Sequence, residues 1–332
     1  MWASRPPWAR RVKTGHSLPH TREEQRRVSY ARIVDKLRRH DIIILDGGTG
    51  TDIQRRGAPM SGDTWCADAN LTHPDIVRAV HRDYIRAGAD IITANTFASS
   101  PILFSHIGRL DDVARIDAVA VTLAREATAG TAACVAGSMS TMRPMAAGTD
   151  RNNLNFELGE REARALFQAK ANGLETCGCD LIMMELMRDT DYAVWASEAA
   201  LATGLPVWIG LSAERGKKGT LQGWGRDDCS FDEIARTLAA LEPAVMMVMH
   251  TSPDNTDEAL AILRTHWTGP IATYPECGYF KSPDWEFIDV IPPAELVRKS
   301  HGWRHLGASI FGGCCGIGPD HVAALTREFK TP

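Results

Sequence analysis

A chain of 332 residues, 44% hydrophobic and 23% charged, has the composition of an ordinary globular protein of one large domain or two small ones. No run of eighteen apolar residues occurs, which excludes a membrane-spanning helix. The formal net charge is −4, but residues 1–40 carry eleven Lys/Arg against three Asp/Glu, an excess of eight that leaves the remaining chain near −12.

The basic stretch comes first. Such an arm can touch nucleic acid, a protein partner or an organelle import receptor. The plainer expectation is a solvated basic N-terminal extension over residues 1–40 that closes in a helix from about Arg22 to Arg39, with no nucleic acid bound. After it, short apolar runs recur, each ending in a polar or glycine residue: Ile42 to Leu45 before Asp46-Gly47-Gly48, Asp90 to Ala94 before Asn95, and Ala133 to Ala136 before Gly137-Ser138. Next come Leu181 to Met184 before Glu185, Pro206 to Leu211 before Ser212, and Val245 to Met249 before His250. Pro270 to Thr273 leads into Tyr274-Pro275-Glu276-Cys277, and Ala308 to Phe311 leads into Gly312-Gly313-Cys314-Cys315-Gly316.

Between the runs, helical spacing of apolar residues predicts helices over 74–87, 112–128, 160–176, 190–202, 231–241 and 256–265. Cap chemistry marks three of the starts, at Thr72-His73-Pro74, Ser230 and Asp254-Asn255-Thr256. Strands that are continuously apolar, each followed by a helix, form a parallel sheet covered by helices. Eight such units fit an α/β fold of the (β/α)₈ TIM-barrel type, one domain over residues 41–332, better than an open doubly wound sheet. The open sheet would want Gly-x-Gly-x-x-Gly after an early strand. Gly47-Gly48-Thr49-Gly50 has the wrong spacing for it, and no P-loop lysine is present.

A barrel gathers its strand ends into one mouth. Here that predicts Asp46, Asn95, Ser138, Glu185, Ser212, His250, the Tyr274 to Cys277 loop and Cys314/Cys315 around a single site. A soft metal site then faces two carboxylates, Asp46 and Glu185. The bland readings stand beside this one: the cysteine pair as inert thiols or a vicinal disulfide, His250 as a hydrogen-bonded structural residue, Asp46 as a turn former. Eight cysteines (66, 134, 177, 179, 229, 277, 314 and 315) are too sparse for a disulfide scaffold, and no secretory signal opens the sequence, so reduced thiols and a cytoplasmic location are expected. Cys177 and Cys179 precede the fourth strand, at the opposite end of the barrel, and read as structural. The Met183-Met184 and Met246-Met247-Met249 clusters read as core filler.

Taken together, Ile44 to Thr51 (ILDGGTGT), Tyr84 to Phe97 (YIRAGADIITANTF), Asp180 to Glu185, Leu205 to Trp208 and Gly312 to Pro319 resemble the zinc-dependent homocysteine S-methyltransferases, the barrel family of the betaine and S-methylmethionine enzymes. The resemblance runs from about residue 41 to 329. It implies that Cys314 and Cys315 ligate Zn²⁺ and that Asp46 and Glu185 contact the amino group of an amino-acid substrate; Asn95, Ser212, Tyr274 and Glu276, from their place at the strand ends, are expected to bind substrate beside them. Three departures fall in the mouth. Met249-His250 stands where the family has Asn-Cys, Glu185-Leu186 replaces Glu-Thr, and Tyr274-Pro275-Glu276-Cys277-Gly278 replaces Tyr-Pro-Asn-Ala-Gly.

The chemistry so implied is transfer of a methyl group from a small onium donor (S-methylmethionine-, S-adenosylmethionine- or betaine-like) to a thiol, homocysteine giving methionine or a changed thiol. A catalytic zinc keeps one position open, so the protein supplies three ligands. Two are Cys314 and Cys315, and the third is His250, which occupies the family's ligand position, with Cys277 as the alternative. Trp65, Tyr274, Tyr279 and Trp224 could box the donor cation, or simply pack. Two other readings remain: a zinc-assisted hydrolase or lyase with Glu185 or Glu276 as general base, and a non-catalytic relative that binds a thiol or metal. The partners expected are small molecules, with no membrane; a homo-oligomer is left open.

Overall fold

In the computed structural model, residues 22–144, 153, 156 and 158–330 are described. The part of the basic extension before residue 22 lies outside the described residues. Eight strands, β1 (Ile43–Ile44), β2 (Ile91–Ala94), β3 (Cys134–Ser140), β4 (Leu181–Met187), β5 (Val207–Arg215), β6 (Val245–Met249), β7 (Ile271–Tyr274) and β8 (Ala308–Phe311), pair in parallel in the order β1-β8-β7-β6-β5-β4-β3-β2. The ring closes through the parallel bridge of Leu45 with Ile91, with Asp90 N donating to Ile44 O at 2.7 Å and Ile44 N to Asp90 Oδ2 at 2.9 Å. The expected (β/α)₈ barrel is the fold observed.

Alternation along each strand sorts side chains into two layers. Leu45, Met183, Met247, Met249, Ala272 and Ile310 fill the barrel interior, while Ile44, Met184, Met246, Val248, Ile271 and Phe311 face the helices. The methionine clusters are therefore core, shared between the layers. The leading helix, α1 (Arg22–Arg39), is part of this packing, since Tyr30, Ile33 and Leu37 are buried with the interior layer, and Trp208 Nε1 donates to Tyr30 Oη at 3.0 Å. Each such burial contributes roughly 1.5–3 kcal/mol, which ties the helix to the closed end of the barrel.

The six predicted helices are present within a few residues of their expected bounds: Pro74–Arg86, Asp112–Thr128, Glu160–Cys177, Tyr192–Ala202, Phe231–Ala239 and Thr256–His266. Of the three expected caps, Ser230 makes a side-chain bond, accepting from Glu233 N at 3.2 Å. Two long helices escaped the periodicity reading, Pro293–His305 and Pro319–Lys330, as did three short ones, Thr49–Arg55, Ala69–Thr72 and Pro101–His106. The first buries only Leu296, Ser300 and Trp303, too few apolar residues to make a pattern. β5 runs on to Arg215 and turns back antiparallel through Leu221–Gly223, because the polar residues after Leu211 pair across that hairpin. No described helix is long and apolar enough to cross a membrane.

On the helix Pro74–Arg86, His81 is buried and neither ring nitrogen has a hydrogen-bond partner. Burial holds it neutral, lowering its pKa from 6.5 to about 4. Between these values the unfolded chain takes up a proton that the folded chain refuses, so stability falls as pH drops below 6.5, by up to about 3 kcal/mol. Urea midpoints at pH 7.5 and pH 5 should diverge in the natural protein and converge in His81→Leu. Equal shifts in the two proteins would assign the acid lability elsewhere.

Candidate metal and substrate site

The last turns of β6, β7, β8 and β1 are laced together by backbone bonds. Cys314 N donates to Pro275 O at 2.7 Å, Cys277 N to Cys315 O at 2.9 Å, Glu276 N to Thr251 O at 3.2 Å and Gly48 N to Ile317 O at 2.9 Å. The glycines are steric requirements of this lacing. A Cβ on Gly48 would stand 2.6 Å from Cys314 O, and Gly316, at φ 83°, would set one 2.1 Å from Cys277 O. The Asp-Gly-Gly start and the cysteine turn are thus two halves of one backbone contact.

This lacing brings His250, Cys314 and Cys315 together, all buried, with their ligand atoms within 4.8 Å of one another. Cys314 Sγ lies 3.4 Å from His250 Nε2 and 4.0 Å from Cys315 Sγ, so the two sulfurs are not joined. Cys277 is buried on the intervening loop, outside that cluster. His250 Nδ1 faces Glu276 Oε2 at 2.9 Å. Three soft or borderline donors converging in a buried place form a candidate metal site among the described residues.

Two cavities meet at this cluster. An inner one of about 40 Å³ is lined by Gly47 to Gly50, Thr93, Asn95, Ser138, Glu185, Tyr274 and Cys314. An outer one of about 620 Å³ is lined by Trp224, Asp254, Glu276, Tyr279, Trp285 and Glu295, among others. Trp65, Phe97, His250 and Cys315 belong to both walls. Trp65 packs edge-on against Phe97 and Phe280, with ring centroids 6.2 and 6.3 Å apart. Such edge-to-face pairs hold the partition between the cavities rigid.

The predicted polar residues divide by position. Glu185 lines the inner cavity, and burial raises its pKa despite the Ser138 hydroxyl and the His250 ring nearby. Asp46 stands one layer back, its oxygens accepting from Thr93 N at 2.6 Å, Thr93 Oγ1 at 3.1 Å and Tyr274 Oη at 2.7 Å. Burial lifts the Asp46 pKa from 3.8 to about 7. Asn95 lines the inner cavity with its amide committed, Nδ2 donating to Cys66 O and Asn70 Oδ1, and Oδ1 accepting from the Cys66 thiol. That Cys66 thiol, pushed by burial up to about 12, stays protonated. Ser212 lies within β5 rather than at its end, buried and in neither wall, because the strand continues past it. Tyr274 belongs to the inner cavity, leaving Trp65, Trp224 and Tyr279 in the outer one.

Sequence reasoning missed Thr93, which braces Asp46, and Phe97, which covers the His250 ring at a centroid distance of 5.5 Å. Both lie in the Tyr84 to Phe97 stretch, whose density of motif residues was the available signal.

A parallel barrel with a buried cysteine–histidine cluster at its mouth, between two cavities, has the layout of a barrel enzyme's active site. The profile of the homocysteine S-methyltransferase family matches residues 43–329, and this chain belongs to that family of methyltransferases. It is 26% identical over 317 residues to betaine–homocysteine S-methyltransferase 1 of Danio rerio, covering 90% of this chain and 75% of the relative. To the homocysteine S-methyltransferase of Escherichia coli it is 25% identical over 313 residues, covering 87% and 96%. The metallated crystal form of the E. coli homocysteine methyltransferase MmuM shares the fold, with TM-score 0.70, 23% identity and coverage of 90% and 99%.

Proposed function

We propose that this methyltransferase moves a methyl group from a small onium donor in the outer cavity to the sulfur of homocysteine in the inner one, with Zn²⁺ held by His250, Cys314 and Cys315. The observation that carries the reading is that His250 and Cys315 belong to the walls of both cavities, so anything they hold borders donor and acceptor together.

The donor set fits zinc. Tetrahedral zinc with Zn–S of about 2.3 Å and Zn–N of about 2.0 Å separates two sulfurs by about 3.8 Å and sulfur from nitrogen by about 3.5 Å. The corresponding separations are 4.0 and 3.4 Å. Bound there, zinc supplies a soft Lewis-acid centre that keeps a thiol deprotonated near neutrality, where a free thiol of pKa about 8.5 is only a few per cent thiolate.

The chain supplies the rest. Glu185, in the inner wall, holds the ammonium group of the acceptor, and Asp46 orients the Tyr274 hydroxyl and Thr93 behind it. Trp65 and Phe97 exclude water where the cavities join. In the outer cavity Asp254 is paired with Lys299 at 2.9 Å, and the remaining carboxylates Asp289, Glu295 and Glu276, with the rings of Trp65, Trp224 and Tyr279, favour a cation. Holding both partners in line lowers the barrier by as much as about 7–11 kcal/mol.

The test is incubation of the purified protein, its zinc content measured, with homocysteine and each of S-methylmethionine, S-adenosylmethionine and betaine. Methionine detected by mass spectrometry with at least one donor is the expected result. Stoichiometric zinc with no product from any donor would sink the assignment of the acceptor. Absence of zinc from protein purified without chelators would sink the metal.

A further inference from the structure

We propose that Glu276 is a positioning residue for the metal ligand His250. Its carboxylate accepts the Nδ1–H of the imidazole, so that Nε2 is the nitrogen turned to Cys314 and Cys315, and its charge completes the electrostatics of the site. The inference rests on the metal reading above.

The geometry is specific. Glu276 Oε2 lies 2.9 Å from His250 Nδ1, while Cys314 Sγ lies 3.4 Å from Nε2 against 3.8 Å from Nδ1. One ring nitrogen faces the carboxylate and the other the sulfur of Cys314. A neutral imidazole has one N–H and one lone pair, so a carboxylate on Nδ1 selects the tautomer whose lone pair is on Nε2. Phe97 packs against the ring at 5.5 Å with an interplanar angle of 35°. Glu276 is itself held, its backbone N donating to Thr251 O at 3.2 Å while its neighbour Cys277 N donates to Cys315 O at 2.9 Å. The loop that carries the carboxylate is thus tied to both halves of the cluster it serves. His250 adopts φ 42°, a left-handed conformation. A bulky residue keeps such a conformation only where its surroundings hold it.

The same hydrogen bond carries a charge argument. Two thiolates and a neutral imidazole leave a divalent cation with no net charge, whereas three thiolates leave −1. A carboxylate hydrogen-bonded to the imidazole restores −1 without touching the metal and raises the basicity of the ligating nitrogen. The cavity side of Glu276 is then secondary: it borders the outer cavity, but one of its oxygens is committed to His250.

The test is a double-mutant cycle read in metal affinity on the full chain, by competition of Zn²⁺ against a chromophoric chelator. The visible spectrum of the Co²⁺-loaded protein reports the ligand field alongside. Glu276→Ala is expected to weaken zinc binding by about 10–100-fold and to shift the cobalt bands, and Glu276→Gln, which keeps an acceptor but loses the charge, falls between it and the natural protein. In a His250→Cys background no second nitrogen exists to be held, so adding Glu276→Ala should change affinity by less than about twofold. Equal losses in both backgrounds, or no loss in either, would overturn the proposal while leaving the metal site standing. Natural protein that takes up no zinc would remove the metal reading and this one together.

Discussion

Replacing Cys314 with serine is expected to lower kcat/KM for methyl transfer on the order of 10³-fold, about 4 kcal/mol of transition-state stabilisation, and to bring bound zinc below stoichiometry. The sulfur of Cys314 is the hub of the cluster, 3.4 Å from the His250 ring and 4.0 Å from the Cys315 sulfur. Serine is close in shape, but its hydroxyl is a hard donor that does not ionise near neutrality, so the site loses a negative ligand without losing packing. The backbone bond from residue 314 to Pro275 O at 2.7 Å does not depend on the side chain. Circular dichroism and melting temperature should therefore change little while zinc content and activity collapse. Full activity with stoichiometric zinc in this variant would end the proposal that the triad is catalytic.

Glu185→Gln should raise the KM for an amino-acid acceptor by about 100-fold, near 2.7 kcal/mol, the loss typical of removing one charge from a buried pair. Glu185 lines the inner cavity and is buried, which raises its pKa. The sign follows. A carboxyl with a raised pKa is charged only toward higher pH, so acceptor affinity should weaken as pH falls. In Glu185→Gln that dependence should disappear. Initial rates across pH in both proteins measure it, and an unchanged KM with an unchanged profile would move the ammonium site elsewhere. Asp46 gives no such contrast, because its oxygens already serve Thr93 and Tyr274 behind the cavity wall.

Much of the site was legible because barrel topology converts order along the chain into position around a mouth. Residues ending consecutive strands must be neighbours, so His250, Cys277 and Cys314/Cys315 could be grouped from the sequence alone. Which way each side chain turns was not legible. Ser212 was expected at a strand end, yet β5 continues to Arg215 through a polar hairpin that a search for apolar runs does not register. His250 was preferred to Cys277 as the third ligand only on its place after the sixth strand; the folded loops bring the imidazole, and not the Cys277 thiol, into the cluster with the two sulfurs. Glu276 was read as a substrate contact, because its bond to His250 spans 26 residues and joins two different loops.

Local order in the chain determined the parallel barrel, its core methionines and the family, since hydrophobic periodicity and glycine-rich turns are properties of short segments. Folding decided the rest: which donors converge, that two cavities share the triad as a wall, and that Asp46 stands behind Tyr274 while Glu185 lines the cavity. The physical reason is that these properties depend on side-chain directions differing by a few ångströms. Backbone contacts among four separate strand ends set those directions, and no single segment encodes them.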